Sequence, residues 1–192
     1  MLRRLYNWTI HMAESPYALW VLAAVAFVES SVFPIPPDVI MIPMIVAAPR
    51  RAFLIAFVAL VSSVLGGVLG YLIGWGAFET VGRPVLEFYG KDAYFEEFSS
   101  KYNEWGAWAV LIAGVTPFPY KVITILSGVT QLNFWVFMVA SVAARGLRFF
   151  IVAALLWKFG APIRDFIEKR LGLMFTLFVA LLIGGFLAVK AL

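Results

Sequence analysis

Apolar runs of two lengths alternate along the chain. Ala52 to Trp75, Phe134 to Trp157 and Leu171 to Val189 are each long enough for a spanning helix, since about 20 residues at 1.5 Å rise cross a hydrocarbon core of roughly 30 Å. Four other runs are too short to cross: Tyr17–Val28, Val39–Ala48, Trp105–Val115 and Val122–Val129. They form two pairs, the first joined by Phe33-Pro-Ile-Pro-Pro-Asp38 and the second by Thr116-Pro-Phe-Pro-Tyr-Lys121. Proline has no amide donor and pushes its predecessor out of the helical region, so Pro34, Pro36, Pro37, Pro117 and Pro119 should break each pair into half-helices. Broken backbone at membrane depth is tolerated when buried in protein or lining a wet cavity, and paired half-helices mark transport sites. The alternative is two proline-kinked spans, 17–48 and 105–129. Segment length favours re-entrant hairpins.

The predicted architecture is therefore all-α and polytopic, one membrane domain over residues 1–192. Hairpin 1 covers about 17–48, a spanning helix 52–75, an interfacial stretch 78–104 and hairpin 2 about 105–129. Two more spans follow at 134–157 and 171–189. A weak internal repeat supports the hairpins, because Phe33-Pro-Ile-Pro has a counterpart in Thr116-Pro-Phe-Pro and Gly82-Arg-Pro-Val one in Gly160-Ala-Pro-Ile. One span between the hairpins would place them on opposite faces, as an inverted repeat. Gly66, Gly70 and Gly74, spaced by four, give that span a flat face for helix packing rather than a nucleotide-binding turn, since no strand precedes them.

Composition fixes the environment. Of 192 residues, 63% are hydrophobic and 14% charged, against roughly 45–50% apolar and 25% charged in soluble domains. Lipid has to cover the surplus. The net charge of +4 reflects basic residues between apolar runs, which fits membrane topology and not nucleic acid. Arg3, Arg4, Arg50 and Arg51 lie on one side, joined by a Lys158–Arg170 loop, while 78–104 is acidic. The positive-inside rule then places the amino terminus in the cytoplasm and, after three crossings, the carboxyl terminus outside. Pro84–Glu104 mixes aromatic and charged residues like an interfacial helix. Arg3-Arg4 and the first apolar run imitate a signal peptide, yet Glu29 and prolines follow instead of a small-residue cleavage site, and the segment reads as retained. The absence of Cys removes thiolate and Cys-metal chemistry, and the single His11 leaves little for hydrolytic or metal catalysis. No cofactor or metal is expected.

Five ionisable residues interrupt apolar sequence: Glu29, Asp38, Lys121, Arg145 and Arg148. Placing Asp, Lys or Arg at the centre of a membrane helix costs about 2.5–3.5 kcal/mol, so each is a candidate for function. Asp38 has a plainer reading as the cap of a half-helix after Pro36-Pro37. Arg145 and Arg148, with Ser141 one turn earlier, share a helix face. Pairing with Glu29 and Asp38 would fasten hairpin to helix. Three cations against two anions suit an anionic head group, and guanidinium has the fork geometry for phosphate.

Glu29-Ser-Ser-Val-Phe-Pro-Ile-Pro-Pro-Asp38, Gly66-x-x-x-Gly70-Tyr-x-x-Gly74, Thr116-Pro-Phe-Pro-Tyr-Lys121 and Ala144-Arg-Gly-Leu-Arg-Phe149 together resemble the DedA family, the VTT-domain or SNARE-associated superfamily, with its YqaA-like branch nearest. The resemblance implies inward-pointing hairpins and transport of lipids across the bacterial inner membrane, notably undecaprenyl phosphate. Phospholipid scrambling is the activity of eukaryotic relatives. It also implies roles for Glu29, Asp38, Arg145 and Arg148. Where many DedA proteins carry an arginine beside the proline of hairpin 2, this chain has Thr116-Pro117, with Lys121 the nearest base. The expected function is a non-enzymatic translocase of a phosphorylated lipid, with proton coupling through the carboxylates and homo-oligomerisation both left open. A structural or assembly factor is the alternative, and a membrane lipid enzyme the third reading.

Overall fold

A computed structural model describes residues 17–32, 36–116 and 118–169, and those residues are helical with no strand. Outside them lie the expected span 171–189, the amino-terminal Arg3, Arg4 and His11, Arg170, and the hairpin prolines Pro34 and Pro117.

The short apolar runs form short helices. Helix α1, Ala18–Glu29, ends where Ser30 donates its amide to Ala26 and the Ser31 hydroxyl donates to the Phe27 and Val28 carbonyls, which occupies carbonyls that the helix end leaves without partners. Helix α2, Asp38–Ala47, starts directly after Pro36-Pro37 and stops before Pro49. Pro49 keeps Ala48 out of the helical region (φ −133°, ψ 71°). A single 3-10 turn, Pro49–Arg51, leads into α3, Ala52–Ala77, the first of two helices long and apolar enough to cross a membrane. A π turn, Phe78–Gly82, connects α3 to the short α4, Arg83–Tyr89. Gly90, left-handed at φ 61°, ends α4.

Two expectations need correction. The stretch 78–104 does not form one interfacial helix before a separate half-helix at 105–115. The chain breaks at Gly90, and α5 runs unbroken from Asp92 to Val115. Only polarity changes at Trp105; no proline or left-handed residue interrupts the backbone. Helix α6, Tyr120–Val129, follows Pro119 as a separate short helix. The last described helix, α7, extends from Phe134 to Lys169, so the expected Lys158–Arg170 loop is helical as far as Lys169. Pro162 removes one intrahelical bond and the residues after it favour helix, so the helix continues through it. At its start the Asn133 carboxamide oxygen accepts the Trp135 and Val136 amides at 3.0 and 3.2 Å, a side-chain cap of ordinary geometry.

Helices α3 and α7 pack against each other and share the remaining helices between them. α1 and α6 lie on α3, while α2 and α5 lie on α7, so the arms of each pair diverge to different partners. Interchanging the first helical pair with the second and α3 with α7 reproduces the same packing, which is the structural form of the weak sequence repeat. Small residues make the crossings on α3. A Cβ at Gly66 would strike the Phe27 carbonyl of α1, and one at Gly74 the Ile125 carbonyl of α6. In return Gly128 of α6 sits on the Tyr71 carbonyl. Backbones in such contact gain dispersion and close electrostatic packing that larger side chains would prevent.

Two apolar cores result. One, near the Arg50–Arg51 end, joins Leu22, Met41, Ile45 and Ile55 to Phe149 and Ala153. The other, near the far end of α3, joins Val110, Tyr120, Ile123 and Leu132 to Phe137. Outward faces of α3 and α7 stay apolar, with Phe57, Leu65, Leu72, Val139, Leu147 and Leu155 exposed. Water would not tolerate such a surface, whereas lipid covers it.

Candidate functional site

A polar layer separates the two cores. Ser63 lies near the middle of α3 and Arg145 near the middle of the apolar part of α7. Arg145 donates Nε to the Ser63 hydroxyl at 2.6 Å and Nη2 to Glu29 Oε2 at 2.8 Å. Ser30 donates to the same Glu29 oxygen at 3.1 Å and lies 2.7 Å from the Ser63 hydroxyl. The guanidinium also lies 4.7 Å from the ring centres of both Tyr120 and Phe149, close enough for cation–π attraction at its flat faces. Only 3% of the Arg145 side chain and 12% of Glu29 are exposed.

Arg148, one turn further along α7, makes a looser pair. Its Nη2 donates to Asp38 Oδ2 at 2.6 Å and its Nη1 to the Thr116 carbonyl at 2.7 Å. Exposure rises to 21% for Arg148 and 17% for Asp38. Asp38 is therefore engaged with an arginine, and no side-chain capping bond forms at the start of α2. The cap reading of Asp38 is not what the geometry adopts.

The ends of the two helical pairs meet directly. Lys121 Nζ donates to the Val32 carbonyl at 3.2 Å, and the Thr124 hydroxyl to the Ser30 carbonyl at 2.9 Å. Gly70 makes room for that contact, since a Cβ there would collide with Thr124 Oγ1. All five ionisable candidates thus lie in one layer, Glu29 and Asp38 from the first pair, Lys121 from the second, Arg145 and Arg148 from α7. Pro36, Pro37 and Pro119 border it. Gly66, Gly70 and Gly74 shape the helix crossings beside it. Among the described residues, no group of three or more His, Cys, Asp and Glu side chains comes together to hold a metal.

Residues 35–158 match the sequence model of the VTT domain. The chain belongs to the VTT domain family, also known as DedA. Proteins of this family are generally membrane proteins with transport- and lipid-related functions, and they are generally not enzymes. An uncharacterized protein of Haemophilus influenzae is 38% identical over 168 residues, covering 85% of this VTT chain and 87% of that protein. One from Histophilus somni, also uncharacterized, is 39% identical over the same shares. No solved structure matches. The matched region contains Asp38, Lys121, Arg145 and Arg148, and begins after Glu29.

Sequence reasoning passed over Ser63, Ser30, Thr124 and Tyr120. A signal for Ser63 was present, because Ser62-Ser63 is the one polar pair inside the apolar run 52–75. Tyr120 lies within the second proline motif; its ring faces Arg145, and its buried hydroxyl lies against that of Ser141. The Thr116 and Val32 carbonyls had no signal at all, since backbone acceptors are defined by where a helix stops.

Proposed function

We propose that this VTT domain protein is a non-enzymatic lipid translocase. It moves a lipid with an anionic phosphate head group across the bilayer, with the head group in the polar layer and the tails left in hydrocarbon. The observation that carries the reading is the pair of guanidinium–carboxylate contacts, Arg145–Glu29 and Arg148–Asp38, at mid-height of two apolar helices. Charges at that depth are costly and mark substrate or ion pathways. Three cations against two carboxylates leave the layer complementary to one phosphate charge, and guanidinium recognises phosphate oxygens in pairs.

In this reading α1–α2 and the α5–α6 pair are re-entrant hairpins entering from opposite membrane faces, and α3 and α7 span. Further elements of the proposal are a third span at 171–189, a cytoplasmic amino terminus, residence in a bacterial inner membrane and membership of the YqaA-like branch. Undecaprenyl phosphate and phospholipids are the substrate classes. Proton uptake at Asp38 would free Arg148 for the head group and at Glu29 would loosen the layer around Arg145, and either would couple transport to a proton gradient.

A second reading, a structural or assembly factor, draws on Arg145, whose contacts serve the bundle itself. Proteoliposomes decide between the two. Full-length protein should accelerate transbilayer movement of a labelled polyprenyl phosphate or phospholipid over empty liposomes. Movement of neither lipid by folded protein would leave the structural reading standing.

A further inference from the structure

The two arginines are not equivalent, and the difference identifies how a phosphate could enter. Arg145 is spent on the protein, with a carboxylate, a serine hydroxyl and two aromatic faces around it. Arg148 and Lys121 are engaged differently. One amino group of Arg148 is on Asp38, at the end of the first helical pair, and the other is on the Thr116 carbonyl of the second. Lys121 belongs to the second pair and reaches the Val32 carbonyl of the first. Among the described residues Lys121 has no carboxylate partner. Two cations, together with the Thr124–Ser30 contact, therefore close the seam between the pairs, and two of the cations' three bonds end on uncharged carbonyls.

A phosphate oxygen is a stronger acceptor for these donors than a neutral carbonyl, because the anion adds direct charge–charge attraction to bonds that the cationic donor already strengthens. We infer that a phosphate group and the seam compete for Arg148 and Lys121, so that capturing the anion and separating the two helical pairs are one event. Arg145 acts as a positioning residue that keeps the seam in register and does not contact the anion. This inference rests on the translocase reading and adds to it the trigger that opens the path. Linkage makes the coupling reciprocal: if phosphate opens the seam, a seam held shut must bind phosphate less well by the same factor.

The chain contains no cysteine, so Val32→Cys with Phe118→Cys, both at exposed positions flanking the seam, supplies the only thiols. The full chain in dodecyl maltoside is treated with a short bifunctional maleimide, alone, with dodecyl phosphate and with inorganic phosphate. Binding of dodecyl phosphate is measured separately by calorimetry. The expected results are a fall in cross-linking when dodecyl phosphate binds, and an affinity at least about fivefold weaker in protein cross-linked beforehand. Asp38→Asn, which removes a competitor for Arg148, should bind dodecyl phosphate more tightly than the parent protein. Opening by dodecyl phosphate alone assigns the anion to a lipid; opening by inorganic phosphate too assigns it to the phosphate however delivered. Binding without any change in cross-linking, and with equal affinity in the locked protein, overturns the inference and leaves the translocase reading intact. Absence of binding to either probe overturns both.

Discussion

Arg145 and Glu29, 116 positions apart in sequence, meet at 2.8 Å, and they do so because Gly66 lets α1 cross α3 at the Phe27 carbonyl. The packing of a glycine thereby sets the position of a charge. Arg145→Ala should leave Glu29 buried without its partner and lower stability by about 3–5 kcal/mol. Replacing both Arg145 and Glu29 by methionine should restore most of that loss, because the cost of an unpaired charge disappears with the pair. Denaturation in detergent, monitored by tryptophan fluorescence, reads both effects. A double variant no more stable than Arg145→Ala contradicts the pairing.

Arg148→Lys keeps the charge but gives up the planar fork that reaches Asp38 and Thr116 together. The variant should insert and remain monodisperse, while transfer of a phosphorylated lipid in proteoliposomes slows at least about tenfold, the equivalent of one lost contact of about 1.4 kcal/mol in the transition state. Full transport by this variant would remove guanidinium recognition from the mechanism.

Gly74 and Gly76 are two residues apart on α3 and should respond in opposite ways. Alanine at 74 meets the Ile125 carbonyl, whereas alanine at 76 has nothing within 4 Å. Gly74→Ala should cost at least about 3 kcal/mol by driving α6 off α3. Gly76→Ala should be silent or gain about 0.5–1 kcal/mol from helix propensity. Thermal denaturation of the two variants side by side checks the contrast.

The buried Tyr120 hydroxyl lies against that of Ser141, while its ring lies under Arg145. Tyr120→Phe keeps the ring and gives up only the contact of the hydroxyl with Ser141, so the loss of stability should stay within about 1.5 kcal/mol. Tyr120→Leu also removes the cation–π contact and should lose stability. Equal losses in both variants would show that the ring contact with Arg145 contributes nothing measurable.

Orientation is open to a labelling experiment. Under the positive-inside rule a cysteine replacing Arg51 should be protected from a membrane-impermeant maleimide in intact cells, and one replacing Tyr94 should react. The reverse pattern would invert the proposed topology.

Helix positions were largely legible in the sequence, and for definite reasons. Runs bounded by proline, such as Val39–Ala48, became helices within a residue or two of their expected limits, since proline acts on its own backbone whatever surrounds it. The acid–base partners were legible as a set, because charges buried in apolar sequence need one another. Their assignment was not. Arg145 with Glu29 and Arg148 with Asp38 follow from which arm lies on α3 and which on α7, a tertiary fact. Sequence also misplaced the break before hairpin 2, where polarity changes at Trp105 but the backbone turns at Gly90. Gly90 was the better signal.

The two apolar cores bear on how the chain is made. Each is completed by a different stretch of α7, Phe137 and Ala140 for one, Phe149 and Ala153 for the other. α1 and α2 leave the ribosome well before their packing surface on α7 exists. At about 5–20 residues per second, that interval lasts on the order of 10 s. During it, Glu29 and Asp38 have been synthesised but their arginines have not. The first helical pair must therefore wait at the insertion machinery or the membrane surface with its carboxylates still hydrated, and the arrival of α7 closes both halves together.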